Sequence, residues 1–266
     1  MARTSPCETE AVTLRTLQKW HGVGNDFLVD VHDASSPDYW TPERVRAVCH
    51  RSTGVGADGL LVATLAVPVA MTLYNADGSL AETSGNGLRC LAAAVRRATG
   101  ATWDSLEVST AAGARTVRLT MDGLAGYGSV AMGEVSFSDP LEGTFALANV
   151  GNPHVIVFDD AAWSDVERED LAEKLAAQLG GANVEFVTLL APGRASIRVL
   201  ERGVGWTLAC GSGSVAVAAA LRRAGLCGDA LTVENPGGTL HVGFDGEQAT
   251  LSGPVQFVAD VEWLEA

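Results

Sequence analysis

The chain has 266 residues, enough for one large domain or two of ordinary size, and 47% of them are hydrophobic, so it can bury a substantial core. Its formal net charge of −14 argues against nucleic acid and anionic membranes as partners. Five cysteines (Cys7, Cys49, Cys90, Cys210 and Cys227) with no CxxC spacing suggest neither a disulfide framework nor a metal site.

The opening segment MARTSPCETE is polar and lacks the apolar stretch of a secretory signal, so the cytoplasm is the expected compartment and residues 1–12 are expected to form a disordered tail. GVGADG (54–59) fits a dinucleotide-binding glycine pattern, but it precedes the strand-like LLVATL instead of opening a helix. It reads as a turn held by Asp58. LLVATLAVPVAMTLY (60–74) is too short to span a bilayer and is broken by Pro68, so it reads as two buried strands. SGNGLRCLAAAVRRATG (84–100) predicts a helix from about Gly85 to Gly100, with glycine at the C-terminal cap and Arg96 and Arg97 where they complement the dipole. CGSGSVAVAAALRRAG (210–225) has the same design and predicts a helix over 211–224.

These two segments are one motif repeated. At a shift of 126, eight of fifteen positions agree between 84–98 and 210–224, including both glycines and the Arg-Arg-Ala ends. LEVSTAAGARTV (106–117) matches LTVENPGGTLHV (231–242) at 125, and VGND (23–26) matches VGNP (150–153) at 127. Three ordered matches at nearly one shift indicate a duplication into two halves, a period far too long for a solenoid. The expected fold is α+β: two pseudo-symmetric domains, each a curled, barrel-like mixed sheet around one central helix, with the site in the cleft between them. The halves are placed at 1–130 and 131–266, with the last strand, near 255–266, returning to the first half.

Glycines at a helix start leave backbone N–H groups free for an anion such as a carboxylate. Two such starts, led by Ser84 and Cys210, can approach one small anion from opposite faces. A group on each face of a carbon beside a carboxylate can remove a proton on one side and return it on the other, while fixed donors stabilise the charge that develops. A thiol at a helix N-terminus is expected to have a lowered pKa, which makes Cys210 a credible base. Against this stands the commoner role of a lone buried cysteine as a small core residue; recurrence at one shift favours function.

With these residues in hand, the chain resembles diaminopimelate epimerase. The resemblance runs through KWHGVGNDFLVD (19–30), RSTGVGADGLL (51–61), YNADGSLAE (74–82), VGNPHVIVF (150–158), NVEFV (183–187), ERGVG (201–205), ACGSG (209–213) and PGGTL (236–240). It implies two pseudo-symmetric domains and a cofactor-independent isomerase that converts L,L- to meso-diaminopimelate for lysine and cell-wall synthesis. The implied catalytic residues are Cys210, Ser84, His154 and Glu201, with His154 and Glu201 assisting the two proton-transfer groups. The implied substrate-binding residues are Asn25, Asn75, Asn152, Asn183 and Arg202, with Gly85–Asn86 and Gly211–Ser212 holding the reacting carboxylate. No cofactor and no metal are expected. The expected partner is a small amino acid, and the reading leaves a homodimer open.

Two departures stand out. The family places its first catalytic cysteine where this chain has Ser84, and it usually has Glu where this chain has Trp206, expected to make that wall of the second loop bulkier and less polar. Cys90, six residues into the helix, does not replace the missing thiol. A thiol ionises near pH 8.5, and a hydroxyl is a far weaker acid without a partner. Ser84 therefore reads as a slow acid/base with His154 close by, as the silent side of a one-sided reaction based on Cys210, or as an introduced substitution. Beside epimerisation stand a related isomerase or dehydratase of another small amino acid and, behind both, a non-catalytic amino acid binder.

Overall fold

Every residue from Gly85 to Val95 is buried, and so is every residue from Gly211 to Leu221. A helix this small in side-chain volume, with no solvent face, belongs inside a sheet. A computed structural model, describing residues 13–35, 39–81 and 83–265, places both helices so. The tail expected over residues 1–12 lies outside the described residues.

The first run of elements is β1 (Thr13–Gly22), β2 (Asn25–Asp33), α1 (Pro42–Cys49), β3 (Gly59–Leu65), β4 (Val69–Asn75), α2 (Gly85–Thr99), β5 (Ser105–Thr110), β6 (Gly113–Asp122) and β7 (Ala125–Gly133). The second is β8 (Ser136–Ser138), β9 (Ala146–Asn149), β10 (Pro153–Phe158), α3 (Asp165–Gln178), β11 (Asn183–Ala191), β12 (Arg194–Glu201), β13 (Gly205–Thr207), α4 (Gly211–Arg223), β14 (Ala230–Asn235), β15 (Gly238–Asp245) and β16 (Gln248–Glu265). Strands β1 to β7 neighbour one another in chain order, and β16 joins β7 back to β1, which closes an eight-stranded barrel around α2. From β16 the sheet continues through β15, β14, β12, β11, β10 and β9 to β8, wrapping α4 with no pairing from β8 back to β16 among the described residues. The curled mixed sheets around central helices are thus present, one closed and one open.

Both halves share a pairing scheme. β2 with β3 and β4 with β5 are parallel in the first; β10 with β11 and β12 with β14 are parallel in the second. A parallel pair needs a crossover, and one helix serves each. Each half therefore has a second, outer helix beyond the single one read from the sequence. α1 starts on Thr41, whose side chain accepts from the Arg44 N–H, with Pro42 in its first turn; α3 starts on a Ser164–Glu167 capping box. The long strand β16 serves both halves: Gln256–Glu265 pair with β1, while Gln248–Ser252 pair with β15.

The central helices meet start to start. A Cβ on Gly85 would lie 2.4 Å from Leu251 Cδ2, and one on Gly211 would lie 2.9 Å from the same atom. Glycine at these two positions lets both helices close on one side chain of the shared strand.

Candidate active site

Ser84 and Cys210 are the N-caps of α2 and α4. Ser84 Oγ accepts from the Gly87 N–H at 2.9 Å, and Cys210 Sγ accepts from the Gly213 N–H at 3.3 Å. The N–H groups of Gly85, Asn86, Gly211 and Ser212 belong to first turns and have no intrahelical acceptor. Between the two caps lies a cavity of about 60 Å³. Asn25, Asp58, Asn75, Thr83 and Ser84 line it from the first half, and Asn152, Asn183, Glu201, Arg202, Thr207, Cys210, Gly211 and Ser212 from the second. The cavity is narrow and polar, and the two halves approach closely around it. Their rims meet at Gly203 against Asp77 and at Gly151 against Thr83.

Ten of the thirteen residues singled out in the sequence line this cavity. His154, Gly85 and Asn86 stand behind its wall. His154 is buried, with Nδ1 2.7 Å from Glu185 Oε1 and Nε2 3.0 Å from Asn152 Oδ1. It therefore engages Asn152 instead of reaching Ser84, the neighbour expected for it. Asn152 Nδ2 donates to Ser212 Oγ at 3.4 Å, and Ser212 Oγ lies 3.6 Å from Cys210 Sγ. A continuous polar chain thus runs from Glu185 to the thiol. Asn183 Oδ1 accepts from the Arg202 backbone N–H at 3.0 Å, which fixes the turn that carries Arg202. Asn75 Nδ2 donates to Ser79 Oγ at 3.0 Å.

The electrostatics correct one expectation. The Cys210 thiol is pushed well above its ordinary value, first by burial and then by the charges of Glu201 and Glu185, against smaller help from Ser212 and the Gly213 N–H. A helix N-terminus contributes about 0.3–1 kcal/mol, less than a tenfold gain in acidity, and desolvation beside two carboxylates outweighs it. Glu201 is pushed up to about 7, chiefly by burial, although Thr207 Oγ1 donates to it at 2.6 Å and the Cys210 thiol also bonds to it. The resting arrangement is thus a protonated thiol against a carboxyl group that titrates near neutrality.

Trp206 also departs from its expected place. It does not line the cavity between the caps. Its ring packs 6.0 Å from Phe186, with the Arg198 guanidinium 4.7 Å from its centroid, and it borders a separate surface cavity beside Lys19 and Arg51. Sequence reasoning missed Glu185, Thr83 and Thr207. The first stands in NVEFV between apolar residues, and only the pairing of β10 with β11 brings it to His154. Asp58 does hold its loop, accepting from the Asp26 N–H at 3.2 Å and from Arg51 Nη2 at 2.6 Å; it also accepts from Asn25 Nδ2 at 2.9 Å.

The diaminopimelate epimerase family model matches residues 17–138 and 146–258. A diaminopimelate epimerase of Methanothrix thermoacetophila is 36% identical over 259 residues, covering 89% of this chain and 91% of that protein. One from Desulforudis audaxviator is 36% identical over 278 residues, covering 93% of this chain and 99% of that protein. Among solved structures, a predicted epimerase from Pseudomonas aeruginosa superposes with a TM-score of 0.76 at 17% identity, covering 95% of this chain and 100% of that one. A hydroxyproline epimerase from Agrobacterium vitis with bound trans-4-hydroxy-L-proline gives 0.72 at 16% identity, covering 94% and 92%. The last two share the fold; the first two, with the family match over both halves, show that this chain belongs to the diaminopimelate epimerase family.

Proposed function

We propose that the protein interconverts L,L- and meso-diaminopimelate without a cofactor, with residues 1–130 and 131–266 as the two halves of its catalytic cleft. The observation that carries this reading is the pair of opposed N-caps, Ser84 and Cys210, on one polar cavity in a chain 36% identical to proteins named for that activity. The reacting carboxylate sits at the starts of α2 and α4, where first-turn N–H groups and two dipoles favour negative charge. Arg202 offers a fork to the far carboxylate, and Asn25, Asn75, Asn152 and Asn183 hold the remaining polar groups.

Cys210 acts through Glu201. The thiol passes its proton to the carboxylate of Glu201, and the thiolate takes the α-proton from one face. The charge moves onto the carboxylate at the helix starts, and Ser84 O–H returns a proton on the other face. Both groups regain their resting protonation through solvent as product leaves. The reaction is placed in the cytoplasm, in keeping with the free thiols Cys49, Cys90, Cys210 and Cys227.

One observation favours a second reading. Among the described residues the Ser84 hydroxyl has no titratable hydrogen-bond partner, only the Gly87 N–H. A one-sided reaction on another small amino acid, with Cys210 as sole strong base, fits that environment. Incubation with L,L-diaminopimelate in heavy water separates the two: the proposal expects meso product carrying deuterium at the inverted carbon. Absence of both exchange and inversion with this substrate, with exchange of another amino acid in the same panel, would give the second reading its place.

A further inference from the structure

We propose that Arg89 and Asp58 are the two ends of one buried relay that fixes the amide orientations of Asn86 and Asn25, making Arg89 a positioning residue for the substrate. The part concerning substrate rests on the function proposed above.

Arg89 lies in α2 and is fully buried. Among the described residues its acceptors are Gly85 O at 3.2 Å and Asn86 Oδ1 at 2.7 Å, both uncharged, and its Nε has none. The barrel is shaped around it: a Cβ on Gly22 of β1 or on Gly253 of β16 would stand 3.1 Å from Arg89 Nη2. A guanidinium desolvated without a carboxylate is costly, and the positive end of its own helix adds to that cost.

The compensation arrives through two amides. A guanidinium only donates, so Asn86 presents its oxygen to Arg89. Its amide nitrogen then faces Asn25, donating to Oδ1 at 3.2 Å. The Asn25 nitrogen in turn donates to Asp58 Oδ2 at 2.9 Å, and a carboxylate only accepts. With a pure donor at one end and a pure acceptor at the other, each amide has one satisfactory orientation. Reversing either would oppose oxygen to oxygen or N–H to N–H at both of its junctions. Asn86 is fully buried, so no water can relieve such a reversal. Asn25 lines the cavity, with one amide hydrogen and one lone pair left over in fixed directions. The relay belongs to the Ser84 half alone, because at the shift of 126 Asn86 and Arg89 become Ser212 and Val215.

The test uses Asp58→Asn, Arg89→Gln and the double variant of the full chain. Side-chain amide signals of Asn25 and Asn86 are followed by ¹⁵N–¹H spectroscopy without substrate. Asp58→Asn is expected to shift the Asn86 pair and to speed its hydrogen exchange about tenfold or more, although none of the hydrogen bonds above joins residues 58 and 86 directly. A change confined to Asn25 would overturn the relay, and this arm decides even if Arg89→Gln fails to fold. In the second arm each single variant is expected to raise KM for diaminopimelate about tenfold while kcat moves less than about threefold. The double variant is expected to match either single one. Independent effects multiplying to about a hundredfold would also overturn it. If the unaltered protein does not turn over diaminopimelate, the proposed function fails while the spectroscopic arm still judges the relay.

Discussion

Ser84 and Cys210 are the same position of one repeated design: each caps a buried central helix with a side chain that accepts from the N–H three residues on. Their surroundings differ in kind. In the first half, Phe27 pairs with Gly59 and Gly59 with Asn75. In the second, His154 pairs with Asn183, and the β11–β12 register sets Asn183 beside Glu201. An apolar ring, a glycine and an amide at the Ser84 side thus correspond to an imidazole, an amide and a carboxylate at the Cys210 side. The duplication preserved the anion-binding helix starts and concentrated titratable groups behind the thiol.

That asymmetry predicts how exchange relates to inversion. Deuterium from heavy water is expected to enter recovered substrate faster than substrate inverts, since Ser84 is slow to return a proton. Ser84→Cys is expected to speed inversion roughly tenfold to hundredfold, and Ser84→Ala to leave exchange without inversion. Mass spectrometry and chiral chromatography on the same samples decide. Equal rates in the unaltered protein, with no gain from Ser84→Cys, would make the hydroxyl a full partner.

Cys210→Ala is expected to reduce α-proton exchange by about a thousandfold or more while costing only about 1 kcal/mol of stability through the lost cap. Circular dichroism and denaturant titration establish the fold, and the exchange assay the chemistry. Undiminished exchange in a folded variant would remove Cys210 from the mechanism.

Glu201 sets a pH dependence. Its folded value of about 7 lies above its ordinary 4.5, so between those values the folded protein binds the proton that the unfolded chain releases. Its contribution to stability is therefore present below about 4.5 and lost as pH rises towards 7. In the reaction Glu201 must be ionised to take the thiol proton, so kcat/KM is expected to rise through about pH 7. Glu201→Gln is expected to remove that rise and to flatten the fall in melting temperature relative to the unaltered protein. A variant that keeps the inflection near 7 would assign it to another group.

Arg202→Leu is expected to weaken diaminopimelate binding by about 1–3 kcal/mol, because the far carboxylate loses its charge-assisted hydrogen bonds. Calorimetry reads this directly. Unchanged affinity would mean that the far end of the substrate lies elsewhere.

Gly213→Ala tests the packing behind the thiol. Its Cβ would stand 2.5 Å from Glu185 Oε1 and 3.1 Å from Glu185 Cδ, both buried. The variant is expected to lose about 1–3 kcal/mol of stability through overpacking, measured by denaturant unfolding. Unaltered stability would show that Glu185 can withdraw from its bond to His154.

By itself the sequence determined what is local. Glycine starts, N-caps and arginine ends gave α2 and α4 almost to the residue, because capping is read within one turn. Repetition at one shift gave the two halves, because a duplicated segment keeps its backbone requirements. The starts of α1 and α3 were also written locally, in Thr41–Pro42 and in Ser164 with Glu167, but few of their residues are buried, so hydrophobic periodicity understates them. Only tertiary structure decided the rest. The return of the last strand to the first half is expected from the sequence, but the register by which β16 joins β7 to β1 and closes the first barrel is a tertiary matter. Glu185 meets His154, and Asp58 meets Asn25, through strand register and loop packing that no spacing in the sequence encodes. The acidity of Cys210 followed the same division. The helix start alone argues for a lowered pKa, and burial beside two carboxylates brought in by β11 and β12 reverses it, because charge and desolvation act through space and not along the chain.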